Sequence, residues 1–142
     1  MSGDDHPGEL FQLDRAACLA LLSAQHVGRL VVGDREPVVV PVNYRLLDGC
    51  IVFRTTADGH AGRPRAAPVA FEVDMFDDRT RSGWSVVVRG PLAIAPPELA
   101  AVPVDSWAPG RRERWMVVPV DVVTGRLLRG AIDGPVDAGG YL

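Results

Sequence analysis

The segment Val52-Phe53-Arg54-Thr55-Thr56 contains the residue types that bind a phosphate group. An arginine guanidinium can pair with two phosphate oxygens at once, and threonine hydroxyls can donate to the others. The stretch Gly59 to Arg65 follows and adds His60, Arg63 and a further arginine. Because an Arg-Thr-Thr sequence also occurs at ordinary strand edges, these residues favour neither a phosphate site nor a plain strand decisively.

A tryptophan is the second candidate for ligand binding. Trp84 lies between Gly83 and Ser85 at the start of a long β-like segment. An indole in that position can stack on a planar ligand. Tryptophan is also common in cores and subunit interfaces, so both interpretations stay open.

Several catalytic chemistries are excluded or disfavoured by the sequence. All fifteen basic residues are arginine, which excludes Schiff-base lysine chemistry and a phosphate-binding loop that needs a lysine. The three histidines (His6, His26 and His60) are far apart and lack metal-ligand spacing, so we predict no metal site. Glu72 and Asp74 would share one face of a strand, where solvation or pairing with arginine is the commoner role. No residue is identified as catalytic.

Composition predicts one domain over residues 1–142, with a core at about 10–129 and flexible tails at 1–8 and 130–142. The arginines are interleaved with eighteen acidic residues, and the net charge is −3. Because they form no basic stripe, we expect no nucleic-acid partner. No apolar run has the roughly 18 residues of a membrane span. Two isolated cysteines and an acidic amino terminus favour a cytoplasmic protein without a signal peptide.

The coarse pattern is mostly β. A helix is predicted over Leu13 to Gln25 with Asp14 as N-cap, and a short one within Pro96 to Val104. Asp48-Gly49 separates two β-branched runs, which indicates a hairpin. The predicted strands are Arg29–Gly33, Pro37–Leu47, Cys50–Thr56, Ala67–Asp74, Gly83–Ala95, Trp115–Val123 and Gly125–Arg129. This order favours an antiparallel barrel or sandwich.

The chain resembles the pyridoxamine 5′-phosphate oxidase-like, flavin-binding family, and its small actinobacterial members most of all. The resemblance covers roughly residues 10 to 129. It is carried by the order and spacing of these segments: Leu13-Asp14-Arg15, His26-Val27-Gly28-Arg29-Leu30, Pro41-Val42-Asn43-Tyr44, Ile51-Val52-Phe53-Arg54-Thr55, Val69-Ala70-Phe71-Glu72-Val73-Asp74, Gly83 to Gly90, Trp107-Ala108-Pro109-Gly110 and Val123-Thr124-Gly125-Arg126.

The resemblance implies a split β-barrel that forms a homodimer, with FMN bound at the interface between the two barrels. It implies that Pro41, Val42 and Asn43 lay their backbone along the isoalloxazine ring. Arg54 and Thr55 would bind the phosphate, and Trp84 and Ser85 would line the same cleft.

One segment departs from the pattern of the family. Relatives commonly follow the Arg-Thr pair with Gly-x-Lys, whose lysine binds the phosphate, whereas the corresponding stretch Ala57 to Ala67 has no lysine. We expect His60 or Arg63 to take its place, and a histidine there would be a weaker, pH-dependent partner.

The leading hypothesis is an FMN-dependent oxidoreductase or flavin reductase that acts on a small molecule. A second hypothesis replaces FMN by the deazaflavin F420 or by haem, which relatives with this barrel also bind. A third is a non-catalytic dimer or sensor with weakened or lost flavin binding.

Overall fold

The computed structural model describes residues 8–33, 35–100, 104–108, 110 and 113–130. Its elements are, in chain order, β1 (Glu9–Leu13), α1 (Arg15–Ala24), β2 (Val27–Val32), β3 (Val38–Leu47), β4 (Cys50–Thr55), a 3₁₀ turn (His60–Gly62), β5 (Arg65–Asp77), β6 (Ser82–Ile94), α2 (Pro97–Ala100), β7 (Arg114–Pro119) and β8 (Val122–Arg129). The predicted terminal tails lie almost entirely outside the described residues.

Six strands close into an antiparallel barrel. The order β6-β5-β2-β3-β4-β7 returns to β6, because β6 pairs with β7 as well as with β5. Strands β8 and β1 extend the sheet beyond β6. This is the split β-barrel that the resemblance implied, so the mostly β prediction is confirmed.

The split occurs within β6, where the partner strand changes. Gly83 to Arg89 pair with β8, and Ala93 and Ile94 pair with β7. Gly90 and Pro91 lie between the two sections. A Cβ on Gly90 would lie 2.6 Å from the Pro119 carbonyl oxygen, and Pro91 has no N–H to donate to a ladder. These two residues therefore allow one strand to serve two sheets.

The β3–β4 hairpin has the turn that the sequence predicted. Leu47 pairs with Cys50 across a two-residue turn in which Asp48 and Gly49 have φ angles of 50° and 72°. Positive φ at both central residues is the geometry that an Asp-Gly pair favours. The turn fixes the register of β3 and β4, which pair from Leu47–Cys50 to Tyr44–Phe53.

Helix α1 packs its apolar side into the barrel core. The Asp14 carboxylate accepts a hydrogen bond from the Ala17 N–H at 2.8 Å, which confirms the predicted N-cap. Cys18, Leu21 and Leu22 join one core cluster with the inward-facing residues of the strands. Those strand residues include Leu30, Tyr44, Phe53, Phe71, Trp84, Val86 and Met116. Among the described residues, no helix has the length and apolar character needed to cross a bilayer.

The sequence analysis missed one strand and placed one strand boundary wrongly. Strand β1 was not predicted, because its five residues are mostly exposed and pairing with β8 holds them in place. The predicted break at Thr124 lies inside β8, and the chain turns at Val120 and Asp121 instead. Gly125 is a packing position, since a Cβ there would lie 2.5 Å from the Cys18 Sγ.

Candidate functional site

A cavity of about 250 Å³ opens where β3 and β4 separate. The two strands stop pairing at Tyr44 and Phe53; β3 continues beside β2, and β4 continues beside β7. We call the space between them the Arg54 cavity. Its walls are Val40, Pro41, Val42 and Asn43 from β3; Arg54, Thr55 and Thr56 from the end of β4; Gly59, His60 and Ala61 from the next turn; and Ser106 and Ala108.

Arg54 is held between this cavity and strand β7. It pairs with Trp115 in the β4–β7 ladder, and its guanidinium carbon lies 5.2 Å from the centroid of the Trp115 ring. Stacking on an indole orients a guanidinium. Thr55, the next residue, is buried at 8% exposure and still lines the cavity. The end of β4 therefore borders one cavity with a cationic residue and a hydroxyl-bearing residue.

The turn that carries His60 folds back over the end of β4. The Gly59 N–H donates to the Thr56 carbonyl at 3.3 Å, and Arg114 Nη1 donates to the Gly62 carbonyl at 3.0 Å. A Cβ on Gly62 would lie 2.2 Å from the Thr56 carbonyl oxygen, so this close approach requires glycine. The tight turn brings His60 to the cavity beside Arg54.

The segment 104–108 forms the remaining wall, and the Asn43 side chain holds it. Asn43 Oδ1 accepts a hydrogen bond from the Trp107 backbone N–H at 2.8 Å, and Asn43 Nδ2 donates to the His26 carbonyl at 3.4 Å. Ser106 and Ala108 consequently face the Arg54 cavity. Sequence reasoning missed both residues, although the Trp107-Ala108-Pro109-Gly110 segment that carries part of the resemblance pointed to this stretch.

Two further cavities adjoin the same segment. The first, of about 440 Å³, is lined by Arg54, Val104, Asp105, Ser106, Ala108, Gly110 and Glu113. The second, of about 390 Å³, is lined by His26, Arg45, Asp105 and Trp107. We call them the Glu113 cavity and the Trp107 cavity. Arg54 connects the first to the Arg54 cavity, and Asn43 fixes the wall between the Arg54 and Trp107 cavities.

Six of the nine predicted binding residues line the Arg54 cavity: Pro41, Val42, Asn43, Arg54, Thr55 and His60. Arg63 follows the 3₁₀ turn, is exposed, and is not part of the cavity wall. Trp84 is 1% exposed and packs in the barrel core, so the expectation that its ring lines the cleft is corrected to the core interpretation. Ser85 pairs with Asp74 and Arg126 on the outer side of the sheet, away from the cavity of its own chain.

The outer side of the same sheet carries a charged cluster. Arg29 Nη1 lies 3.1 Å from Glu72 Oε1 and 3.4 Å from Asp74 Oδ2. Partial burial raises the pKa of Glu72 from 4.5 to about 7; the hydrogen bond and negative charge of Asp74 add to this, and Arg29 opposes it. Of the two roles expected for these carboxylates, solvation or pairing with arginine, the structure shows the pairing.

Comparison with known proteins gives consistent similarities. The family model for pyridoxamine 5′-phosphate oxidase matches residues 14–127. An uncharacterized protein of Mycobacterium tuberculosis is 34% identical over 101 residues, which is 66% of this chain and 66% of that protein.

Two solved structures are similar to this chain over most of its length. An FAD-binding protein of Mycobacterium smegmatis has 25% identity and a TM-score of 0.65, covering 85% of this chain and 100% of its own. A conserved protein of unknown function from Corynebacterium diphtheriae has 29% identity and a TM-score of 0.69, covering 83% and 97%.

Proposed function

The chain belongs to the pyridoxamine 5′-phosphate oxidase family, and we propose that it is a homodimer that binds FMN and oxidises or reduces a small molecule. The observation that carries this proposal is the convergence of Arg54, Thr55 and the edge of β3 on one cavity. These are the donor types that a phosphate and a planar polar ring require.

The phosphate belongs at the end of β4. Arg54 supplies a charged fork, Thr55 and Thr56 supply hydroxyls, and His60 faces them from the turn. This donor set fits a phosphate monoester without a lysine. Because a histidine donates a weaker hydrogen bond than a lysine, we expect Arg54 to supply most of the phosphate affinity.

The isoalloxazine ring of the flavin would lie along β3. On the amino-terminal side of Tyr44, strand β3 is not paired with β4, so the backbone of Pro41 to Asn43 borders the cavity. Peptide N–H and C=O groups at such an edge can pair with the polar rim of an isoalloxazine. When bound, the flavin supplies the electron transfer, and the protein positions it.

A longer flavin is the second candidate, since the Glu113 cavity continues from Arg54. Arg54, Ser106 and Ala108 line both cavities, so a ligand with its first phosphate on Arg54 can extend from one to the other. Asp105 and Glu113 would accept hydrogen bonds from ribose hydroxyls, which favours an adenosine over the anionic tail of F420. The similarity to an FAD-binding protein points the same way.

The dimer would form through the outer face of the sheet. Val39, Val31, Ala70, Arg89 and Val122 lie side by side across five strands in the sheet register. Val39 is 57% exposed, and Pro41 and Asn43 lie on the same strand as Val39. Four of these five side chains are apolar, and Arg89 is the exception. Such a row beside the cavity suits a second copy, and it would place the partner next to the flavin.

The first experiment is the visible absorbance spectrum of freshly purified protein, followed by titration with FMN, FAD, F420 and haemin. We expect flavin absorbance or saturable quenching of flavin fluorescence. Arg54→Ala should weaken binding roughly tenfold to a hundredfold, whereas Arg63→Ala, a nearby exposed arginine outside the cavity, should not. Colourless protein that fails to quench FMN and FAD would contradict the proposal, and selective binding of F420 or haemin would replace the cofactor.

Sedimentation and turnover test the remaining parts. Ala70→Arg places a second positive charge in this row, directly beside Arg89, and we expect it to convert a dimer to a monomer. Flavin-loaded protein should transfer electrons from NADH or NADPH to an acceptor. Flavin binding without turnover on any donor or acceptor would favour the sensor hypothesis instead.

A further inference from the structure

The Trp107 cavity has the chemistry of a small-molecule site that the flavin hypothesis does not use. We propose that it binds an aromatic carboxylate that also carries a hydrogen-bond donor. This binding site does not depend on the proposed flavin function.

The aromatic part of the ligand follows from Trp107. The Trp107 side chain is 71% exposed, although it borders a cavity, while Trp84 is buried and Trp115 is half-buried. Its backbone N–H is held by Asn43, so the indole is attached at a fixed point. An indole in a concave site offers a flat apolar surface on which another ring can stack.

The charged part follows from Arg45 and Asp105, which line the cavity with His26. A single guanidinium matches a carboxylate through two parallel hydrogen bonds, and an imidazole N–H can donate another. The Asp105 carboxylate disfavours a doubly charged phosphate in the same space, and it accepts a hydrogen bond from a ligand hydroxyl or amine. The three groups together favour a monoanion that also carries a hydrogen-bond donor.

The position of the cavity links it to the flavin. Asn43 lines the Arg54 cavity, and its side chain also fixes two residues of the Trp107 cavity, His26 and Trp107. The Tyr44 N–H donates to the same His26 carbonyl at 3.0 Å. Ligands in the two cavities would therefore lie on either side of one wall. The volume of about 390 Å³ is near the lower end for small-ligand sites and suits a bicyclic molecule.

Isothermal titration calorimetry of the full chain tests the site with 6-hydroxy-2-naphthoate. We expect saturable binding, weaker binding of 2-naphthoate, which lacks the donor, and weaker binding of 2-naphthol, which lacks the carboxylate. Arg45→Ala should weaken both carboxylates roughly tenfold to a hundredfold and leave 2-naphthol unchanged. Asp105→Asn should affect 6-hydroxy-2-naphthoate more than 2-naphthoate.

Trp107→Ala should weaken all three ligands about tenfold, and Trp107→Phe should retain most of the affinity because a ring remains. Arg79→Ala, at an exposed turn outside the three cavities, is the matched control and should bind like the parent protein. The titrations are repeated with Arg54→Ala, which should weaken flavin binding and leave naphthoate binding unchanged. Failure of the flavin hypothesis and failure of this site are thereby separate results.

Two results would overturn the proposal. The first is an absence of saturable binding of 6-hydroxy-2-naphthoate, or binding that Arg45→Ala leaves unchanged. The second is a change of sedimentation coefficient in Trp107→Ala without a change in affinity, which would make this surface a contact between copies of the chain.

Discussion

The guanidinium of Arg54 lies 5.2 Å from the ring centroid of Trp115, its ladder partner on β7. This contact joins the proposed phosphate site to the adjacent strand, β7. A cation over an exposed or partly exposed indole is worth about 0.5–1 kcal/mol. The main effect of Trp115 on ligand binding is therefore to hold Arg54 in one orientation.

Replacing Trp115 should weaken the binding of a phosphorylated flavin without affecting its ring. We expect Trp115→Leu to lower FMN affinity about twofold to fivefold, because the guanidinium loses its platform. Trp115→Phe should recover part of that loss. Riboflavin, which has no phosphate, should bind parent and variant equally in fluorescence quenching. An equal loss for FMN and riboflavin would show that Trp115 supports the cavity as a whole.

Asn43 should control the order of the segment 104–108. Its Oδ1 accepts the Trp107 N–H at 2.8 Å, so Asn43→Ala removes the bond that ties this segment to β3. We expect faster hydrogen exchange at the Trp107 amide and a loss of about 1 kcal/mol in the free energy of unfolding. Asn43→Asp keeps the acceptor oxygen and should retain protection of that amide. Unchanged exchange in Asn43→Ala would contradict this role.

The sequence predicted those parts of the fold that form between residues close together in the chain. Asp14 caps α1 and Asp48-Gly49 forms the hairpin turn through interactions within a few positions of the sequence. Barrel closure depends on β6 exchanging β8 for β7 at Gly90 and Pro91, which joins residues far apart in the chain. Periodicity does not reveal such an exchange; the resemblance to a known family predicted the split barrel, but not where the exchange occurs.

The residues of the candidate site also fall into those that the sequence predicted and those that it did not. Arg54 and Thr55 were found because a phosphate needs their chemistry, whereas Ser106 and Ala108 carry no strong chemical signal and enter the cavity through the Asn43–Trp107 bond. For Trp84 the sequence left a core position and a ligand position both open, and the structure shows it in the core. Ser85 beside it is on the outer side.

Trp84 provides a direct check of that correction. Its side chain is 1% exposed, so Trp84→Phe should leave a cavity in the core and lower the free energy of unfolding by about 1–3 kcal/mol in urea titrations. FMN affinity, measured on the folded variant, should stay within twofold of the parent value. A selective loss of FMN affinity with unchanged stability would return Trp84 to the ligand site.

Glu72 should make stability depend on pH. Its pKa is raised from 4.5 to about 7 in the folded chain, mainly by partial burial, so the folded state holds the proton more tightly than the unfolded state between these values. The stabilising contribution is therefore complete below pH 4.5 and is lost as the pH rises through 7. Since Arg29 lies 3.1 Å away and the side chain is partly exposed, we expect a change of about 1–2 kcal/mol.

Glu72→Gln isolates the contribution of Glu72 to the pH dependence of stability, because glutamine resembles the protonated acid at every pH. Urea titrations from pH 5 to pH 8 should show the free energy of unfolding of the parent protein falling relative to that of Glu72→Gln. Asp74→Asn removes the neighbouring negative charge that raises the pKa of Glu72, and should move the fall to lower pH. Parallel stability profiles for the parent and Glu72→Gln would mean that Glu72 is ionised throughout this range and that Arg29 outweighs its burial.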